Sequence, residues 1–422
     1  MTAAASINRG RAVAVFGVFA FAYFLSTLVR GIAATLSPTL TDEFGLKASD
    51  LGLLAGGYFL GFALTQLPMG SWLDRYGPKR VIVSFLLVAV GGCLLFSMAT
   101  QFPLLLAARV LTGVGVSACL MAPLTGYRRW FDPALQLRGN AWMLMVGSFG
   151  LIVATLPVHW LVPLVGWRPL FWGLAVAVLF SMAAIAWVAP SWSHAHAAPV
   201  ASVASATPAA SGGYAEVWRS PFFWRVTPIG FFNYGGFVAM QTLWIVPWLT
   251  RVAGHSPREA AQGLFWCNVA LFGSYWLWGL ANPVLARRGI PAVRLLAWGL
   301  PLGLAAMALI LLAGPAAGTG AWVLFCVLST VVTLTQPAVA LAFPAALAGR
   351  ALSAYNLVLF AGIFVVQWGI GLAIDGFGRL GWDGVDAFRG ALAAFLACCV
   401  LSYLYFLWAA PHNRPPDPPT TA

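Results

Sequence analysis

Two arginines of this sequence, Arg30 and Arg109, lie within long apolar segments that contain no acidic residue. A guanidinium group keeps its charge at physiological pH and presents five N–H donors in a planar fork, which matches the two oxygens of a carboxylate or phosphate. A buried charge without a partner is unfavourable, so each arginine needs either an anionic ligand or neutral acceptors from the protein. Both arginines are therefore candidate functional residues.

The composition indicates the surroundings in which these arginines lie. Hydrophobic residues make up 61% of the 422 residues and charged residues 8%, against about a quarter charged in soluble domains. A helix needs about 20 apolar residues to cross a bilayer core. The sequence contains twelve such segments, at 13–36, 51–73, 81–100, 103–125, 141–163, 169–190, 222–249, 260–285, 293–313, 321–347, 351–374 and 388–410. We therefore predict an all-α integral membrane protein with twelve transmembrane helices.

The loops between the segments differ in charge. Basic residues are concentrated in the loops that lie on the same side as both termini, and this bias predicts cytoplasmic termini. The bias accounts for the net charge of +12 without a nucleic-acid partner, because these loops face anionic lipid. The first segment is too long for a signal-peptide core, so we predict an uncleaved multi-pass protein of a bacterial inner membrane.

Residues 191–213 are rich in Ala, Ser and Pro and nearly free of charge, which is typical of a flexible linker. We divide the chain into a six-helix bundle at 1–190, a cytoplasmic linker at 191–218, and a second six-helix bundle with a short tail at 219–422. His194 and His196 in the linker do not have the pattern of a metal site. No nucleophile–base spacing stands out, so we predict no metal, no cofactor and no enzymatic activity.

The loop between the second and third segments, GSWLDRYGPKR at 70–80, has four charged residues within seven positions. It resembles the signature G-x-x-x-D-R-x-G-R-R of the major facilitator superfamily, with a proline and a lysine inside the basic stretch. RVLTGVGVSA at 109–118 and GWRPLF at 166–171 resemble two further signatures of this superfamily. The resemblance implies two six-helix bundles around a central cavity and secondary transport by alternating access. It is closest in character to the organic-anion, nitrate and sugar-phosphate branches.

The resemblance also implies that the loop at 70–80 holds a cytoplasmic gate closed. Asp74 can lie against the N-terminus of a helix from the other half and can pair with Arg128 or Arg129, contacts expected in one access state only. A faint repeat of the loop in the second half, NPVLARRGIP at 282–291, lacks the acid. The predicted gating residues are Gly70, Asp74, Arg75, Gly77, Arg80 and Arg128.

Arg30 shares a helix face with Tyr23 and Thr27, two and one turns earlier. Arg30 resembles the first-helix arginines of the anion-transporting branches of this superfamily, so we interpret it as the group that binds a substrate carboxylate. The alternative is an arginine that extends to the membrane surface or bonds to backbone carbonyls. The interior of the seventh segment has no arginine, which favours a small organic anion over a phosphate ester. The predicted substrate-binding residues are Tyr23, Thr27, Arg30, Tyr234, Gln241, Trp244, Tyr355 and Asn356.

Arg109 and His159 are the predicted coupling residues. The resemblance associates the Arg109 position with structure or coupling, and His159 is the one histidine within an apolar segment that can exchange a proton near neutral pH. The driving gradient stays open between a symported proton and a counter-anion. As alternatives we keep a proton-coupled drug or metabolite exporter, although 146–157 lacks the expected Gly-Pro pair, and a sensor without transport. We expect a monomer.

Overall fold

The structure is a computed structural model of the chain and describes residues 8–191 and 213–410. Within these two ranges every regular element is a helix. Most of the predicted linker, with His194 and His196, lies outside the described residues, and its last part forms a short helix that begins at Tyr214.

The N-terminal half, residues 8–191, is built from eight helices. They are α1 (Arg9–Phe44), α2 (Ala48–Leu64), α3 (Gln66–Met98), α4 (Phe102–Val116), α5 (Ala118–Trp130), α6 (Pro133–Val153), α7 (Leu156–Val165) and α8 (Trp167–Val188). Gly77 has φ 78° and ψ 160°, a conformation that favours glycine, and it divides α3 at a kink. The second predicted span is therefore α2 with residues 66–76 of α3, and the third is the remainder of α3.

The C-terminal half, residues 213–410, contains ten α-helices. They are α9 (Tyr214–Arg219), α10 (Pro221–Pro228), α11 (Gly235–Ala239), α12 (Ile245–Arg251), α13 (Pro257–Arg287), α14 (Ala292–Ala313), α15 (Thr319–Ser329), α16 (Thr335–Ala342), α17 (Ala345–Arg379) and α18 (Gly384–Trp408). Two π-helical segments, Ile229–Tyr234 and Met240–Trp244, join α10, α11 and α12 into one span. Such widened turns often occur at functional sites.

The helices account for the twelve predicted spans. In the described ranges ten helices are long and apolar enough to cross a membrane, and α6 with α7, bent by 47°, makes eleven. The remaining span is α2, whose 17 residues continue into the first part of α3. Large apolar side chains such as Trp187 and Leu312 are exposed on the outside of the bundle, where lipid would cover them. The predicted fold class is confirmed.

The two halves contact each other most closely along α2 and α17. We call the side where α1 begins the termini side and the other the opposite side. Near the opposite side, a Cβ added to Gly52 would come within 2.5 Å of the Gln367 carbonyl oxygen, and one added to Gly56 within 3.0 Å of the Phe364 ring. Small residues allow the two backbones to approach this closely. The halves are thus closed against each other at the opposite side.

Candidate functional site

Arg30 lies midway along α1 with its side chain half-buried. Among the described residues it has no ion pair, and its buried Nε atom has no hydrogen-bond partner. The hydroxyl groups of Tyr23, Tyr58 and Tyr234 lie within electrostatic range of its guanidinium group.

Four tyrosines lie within electrostatic range of this guanidinium group, two from each half of the chain. Tyr23 on α1 and Tyr58 on α2 belong to the first half, and Tyr234 and Tyr275 belong to the second. We call these five residues the Arg30–tyrosine cluster. A phenol can donate or accept a hydrogen bond and its ring is apolar, so the cluster combines one positive charge with polar groups and ring surfaces.

The side chains of the first half are fixed in place by backbone contacts. The hydroxyl of Tyr58 donates to the carbonyl oxygen of Ser26 at 3.2 Å. The ring of Tyr23 packs over Gly147 on α6, where a Cβ would collide with it. On the second half, Tyr234 is the last residue of a π-helical segment. Rigid helices therefore hold the cluster, and the substrate need not order it on binding.

Arg109 on α4 is a different kind of arginine, with only 1% of its surface exposed. Its Nη1 atom donates to the carbonyl oxygen of Val29 at 2.9 Å, and its guanidinium carbon lies 5.2 Å from the ring centroid of Tyr58. This bond supplies one neutral acceptor to the buried charge, while the Nε and Nη2 atoms of Arg109 have no hydrogen-bond partner among the described residues. Val29 precedes Arg30, and Tyr58 interacts with both arginines. Arg109 therefore helps to hold Arg30 and Tyr58 in position.

The other predicted binding residues make hydrogen bonds within the protein. Thr27 bonds to carbonyl oxygens of its own helix, at 3.0 Å and 3.2 Å. Gln241 donates to Asn268 at 2.8 Å, and Gln336 donates to Asn356 at 3.2 Å. These side chains therefore bond to protein groups other than the guanidinium group of Arg30 in this conformation.

The remaining two predicted aromatic residues are fully buried. The indole of Trp244 donates to the Gln367 carbonyl at 3.2 Å, and the hydroxyl of Tyr355 reaches the Val226 carbonyl at 3.5 Å. The structure thus brings together Tyr23, Arg30 and Tyr234 of the eight predicted residues. It adds Tyr58, which the sequence analysis did not select, although its position in the glycine-rich run AGGYFLG marks a close helix contact.

The predicted gating residues lie at the termini side. Asp74, Arg75, Arg80 and Arg128 are exposed, and Asp74 has no ion pair or hydrogen bond among the described residues. The neighbouring Lys79 donates to the carbonyl oxygen of Ala189 at 3.0 Å. The contact between Asp74 and Arg128 expected from the resemblance is therefore not formed in this conformation, in which the opposite side is the closed one.

A carboxylate at the opposite side makes a contact of the kind predicted for Asp74. Asp375 near the end of α17 accepts hydrogen bonds from the backbone N–H groups of Ala48 at 3.2 Å and Ser49 at 2.9 Å. These groups begin α2, so a carboxylate of the second half caps a helix of the first half and interacts favourably with its dipole. This contact could not be predicted from the sequence, because it depends on the pairing of the two halves.

Removal of the Asp375 cap is expected to open the opposite side. Substitution of a capping residue by alanine costs about 1 kcal/mol, so Asp375→Ala should shift the equilibrium away from this conformation about fivefold. The readout is maleimide labelling of a cysteine introduced at Leu51, which is 3% exposed, in protein without the native cysteines. Faster labelling is expected for Asp375→Ala and slower labelling for Asp74→Asn, since the contact of Asp74 belongs to the other state. Equal rates in all three proteins would contradict both assignments.

His159 lies on α7 and is not brought to the Arg30–tyrosine cluster. The charged group with which it interacts electrostatically is Arg258, at the start of α13 on the opposite side. The structure therefore places the two predicted coupling residues apart, with Arg109 next to the cluster and His159 near the opposite surface.

Comparison with known proteins agrees with this architecture. The sequence model of the Major Facilitator Superfamily matches residues 19–367. The 4-hydroxybenzoate transporter PcaK of Acinetobacter baylyi is 27% identical over 158 residues, 36% of this chain and 35% of that protein. The probable sulfoacetate transporter SauU of Cupriavidus necator is 24% identical over 158 residues, 37% of this chain and 36% of that protein. The matched region thus spans about a third of the length of these curated relatives.

The solved structures give a fold comparison over nearly the whole chain. A bacterial homolog of the human lysosomal transporter Spinster has a TM-score of 0.77 at 16% sequence identity. The superposition covers 96% of this chain and 98% of the other. At this identity the likeness concerns the fold.

Proposed function

This chain belongs to the Major Facilitator Superfamily, a family of transporters and not of enzymes, and from that premise we propose that it moves a small organic anion by alternating access. The anion would bind to Arg30 within the Arg30–tyrosine cluster. The cluster lies where the two halves meet near the middle of the spans, the usual place for a transporter site.

The observation that carries this proposal is a half-buried arginine without a protein anion to neutralise it. One guanidinium group favours a substrate with a single carboxylate-like group, because a doubly charged phosphate would leave uncompensated negative charge. Tyr23 and Tyr58 from one half and Tyr234 and Tyr275 from the other supply hydroxyl groups and ring surfaces. A substrate that contacts both halves can stabilise their closure around it, as alternating access requires.

The names of the relatives support the same chemical class. 4-Hydroxybenzoate and sulfoacetate, named for PcaK and SauU, are both small organic anions. An aromatic carboxylate would suit a site lined by four phenol rings, since offset or edge-to-face ring pairs are favourable.

Orientation, gating and coupling complete the proposal. We infer a bacterial inner-membrane protein with cytoplasmic termini, from the basic residues on that side. Asp74 would pair with Arg128 when the cytoplasmic side closes, while Asp375 releases α2 at the opposite side. A coupling proton would involve Arg109 or His159 or would travel with the anion, and the transport unit would be a monomer.

The substrate class is tested by thermal stability of the purified protein against benzoates, aliphatic carboxylates, phosphate esters and cationic drugs. A ligand at a hundredfold its dissociation constant stabilises the folded state by about 2.7 kcal/mol, so a carboxylate should raise the melting temperature. The increase is expected to disappear in Arg30→Ala. Stabilisation by cations alone would overturn the anion proposal and favour the drug exporter.

A further inference from the structure

An apolar groove of about 520 Å³ lies at the termini side of the C-terminal half. It is open at the surface between the end of α13, the start of α14 and the end of α16. Fourteen residues line it, and the one with a polar side chain is Asn282. Leu341 on its wall is almost fully exposed, and Leu334 and Ala338 form the buried floor. A groove of this composition is suited to a hydrocarbon chain.

Three arginines stand at the rim of this groove. Arg287 ends α13 and Arg288 follows it in the turn. Arg294 lies in the first turn of α14, where its guanidinium carbon is 5.9 Å from the ring centroid of Trp298. All three are exposed, and among the described residues none forms an ion pair or a side-chain hydrogen bond. Three cations that no carboxylate among the described residues neutralises therefore lie next to an apolar groove.

We propose that this groove binds an anionic phospholipid. One acyl chain would occupy the groove, and the phosphate of the headgroup would interact with Arg287, Arg288 and Arg294. Basic pockets at the cytoplasmic ends of transmembrane helices are suited to such headgroups, and arginine binds phosphate oxygens with its planar fork. The aligned loop of the first half contains Asp74, whereas the loop at this groove has Ala286 at the same position. No acid in this loop therefore repels the lipid phosphate.

The aligned loop of the first half has the same basic character in a different setting. Arg75, Lys79 and Arg80 lie beside Asp74, and Lys79 is held by the Ala189 carbonyl. Gly77, with φ 78°, and Gly289, with φ 71°, each turn the chain between two helical segments. The loop at 70–80 is thus a matched control, equal in positive charge but with an acid among its bases.

The test is native mass spectrometry of the purified full chain titrated with phosphatidylglycerol or phosphatidylcholine of the same acyl composition. We expect preferential binding of phosphatidylglycerol. Substitution of Arg287, Arg288 and Arg294 by glutamine should weaken that binding at least tenfold. The control variant, with Arg75, Lys79 and Arg80 changed to glutamine, removes equal charge and should change it less than about twofold. Equal losses in both variants would overturn the site, since they would indicate general attraction to the basic surface.

A second variant tests the groove itself without a change of charge. Ala342→Trp places a large ring in the lining and should weaken phosphatidylglycerol binding at least fivefold. Glycerol 3-phosphate supplies the headgroup alone and is expected to bind at least a hundredfold more weakly than the lipid. Unchanged lipid binding in Ala342→Trp would overturn the proposal. So would binding of glycerol 3-phosphate as tight as that of the lipid, or a second copy of the chain that occupies the groove in place of lipid. Because the readout is lipid binding, failure here leaves the transport proposal untouched.

Discussion

Replacing Arg30 with lysine is expected to weaken substrate binding about ten- to a hundredfold without loss of folded protein. Lysine keeps the positive charge but replaces a planar fork by a point charge, so one of two charge-assisted hydrogen bonds to a carboxylate is lost. Such a bond contributes about 1.5–3 kcal/mol, which corresponds to the stated factor. The affinity can be measured by thermal titration with the carboxylate that stabilises the unmodified protein, and uptake by proteoliposomes should fall in parallel.

Arg109→Lys is the matched control for this experiment, because it makes the same chemical change on α4 instead of α1. Arg109 is almost completely buried and bonds to the Val29 carbonyl, so its substitution should lower the melting temperature more than the substrate affinity. Arg30→Lys should do the reverse. If Arg30→Lys binds the carboxylate as tightly as the unmodified protein does, Arg30 is structural and the proposed site is wrong.

Much of the fold could be predicted because membrane insertion strongly constrains the sequence. Each backbone polar group must bond within its own helix, so long apolar runs indicate the spans directly. Boundaries were harder to predict at breaks. Gly77 turns sharply without ending the helical pattern, and the π-helical segments of Ile229–Tyr234 and Met240–Trp244 shift the helix face without any change in hydrophobicity.

The site could be predicted in part, for reasons that individual residues make clear. Tyr23 and Arg30 are seven residues apart on one helix, so periodicity alone places them together. Thr27 lies on nearly the same face, but a threonine in a helix can bond to a carbonyl one turn back, and it does so here. Tyr58 lies on another helix, so its approach to Arg30 depends on helix packing, which periodicity does not give. The same holds for the contact of Asp375 with α2.

Gly52→Leu is expected to abolish transport, at least a hundredfold, while substrate binding persists. A Cβ at this position would come within 2.5 Å of the Gln367 carbonyl oxygen and 3.1 Å of the Trp368 Cα, both backbone atoms of α17 that no rotamer change can move. Because these atoms belong to the other half, the clash exists only when the opposite side is closed. The larger side chain therefore destabilises one access state and holds the protein in the other. A shift of the equilibrium between the two access states from 1:99 to 99:1 requires about 5.5 kcal/mol.

Gly113→Leu separates this effect from general damage. A Cβ on Gly113 would collide with the carbonyl oxygen of Tyr58, but α4 and α2 belong to the same half, so the clash is present in both access states. Gly113→Leu should lower the yield and melting temperature of the protein, whereas Gly52→Leu should remain folded and label rapidly at a cysteine placed at Leu51. A loss of yield and melting temperature in Gly52→Leu equal to that in Gly113→Leu would mean that α2 and α17 do not separate during the cycle. Because alternating access requires the halves to part at the opposite side, that result would also exclude Asp375 as a latch.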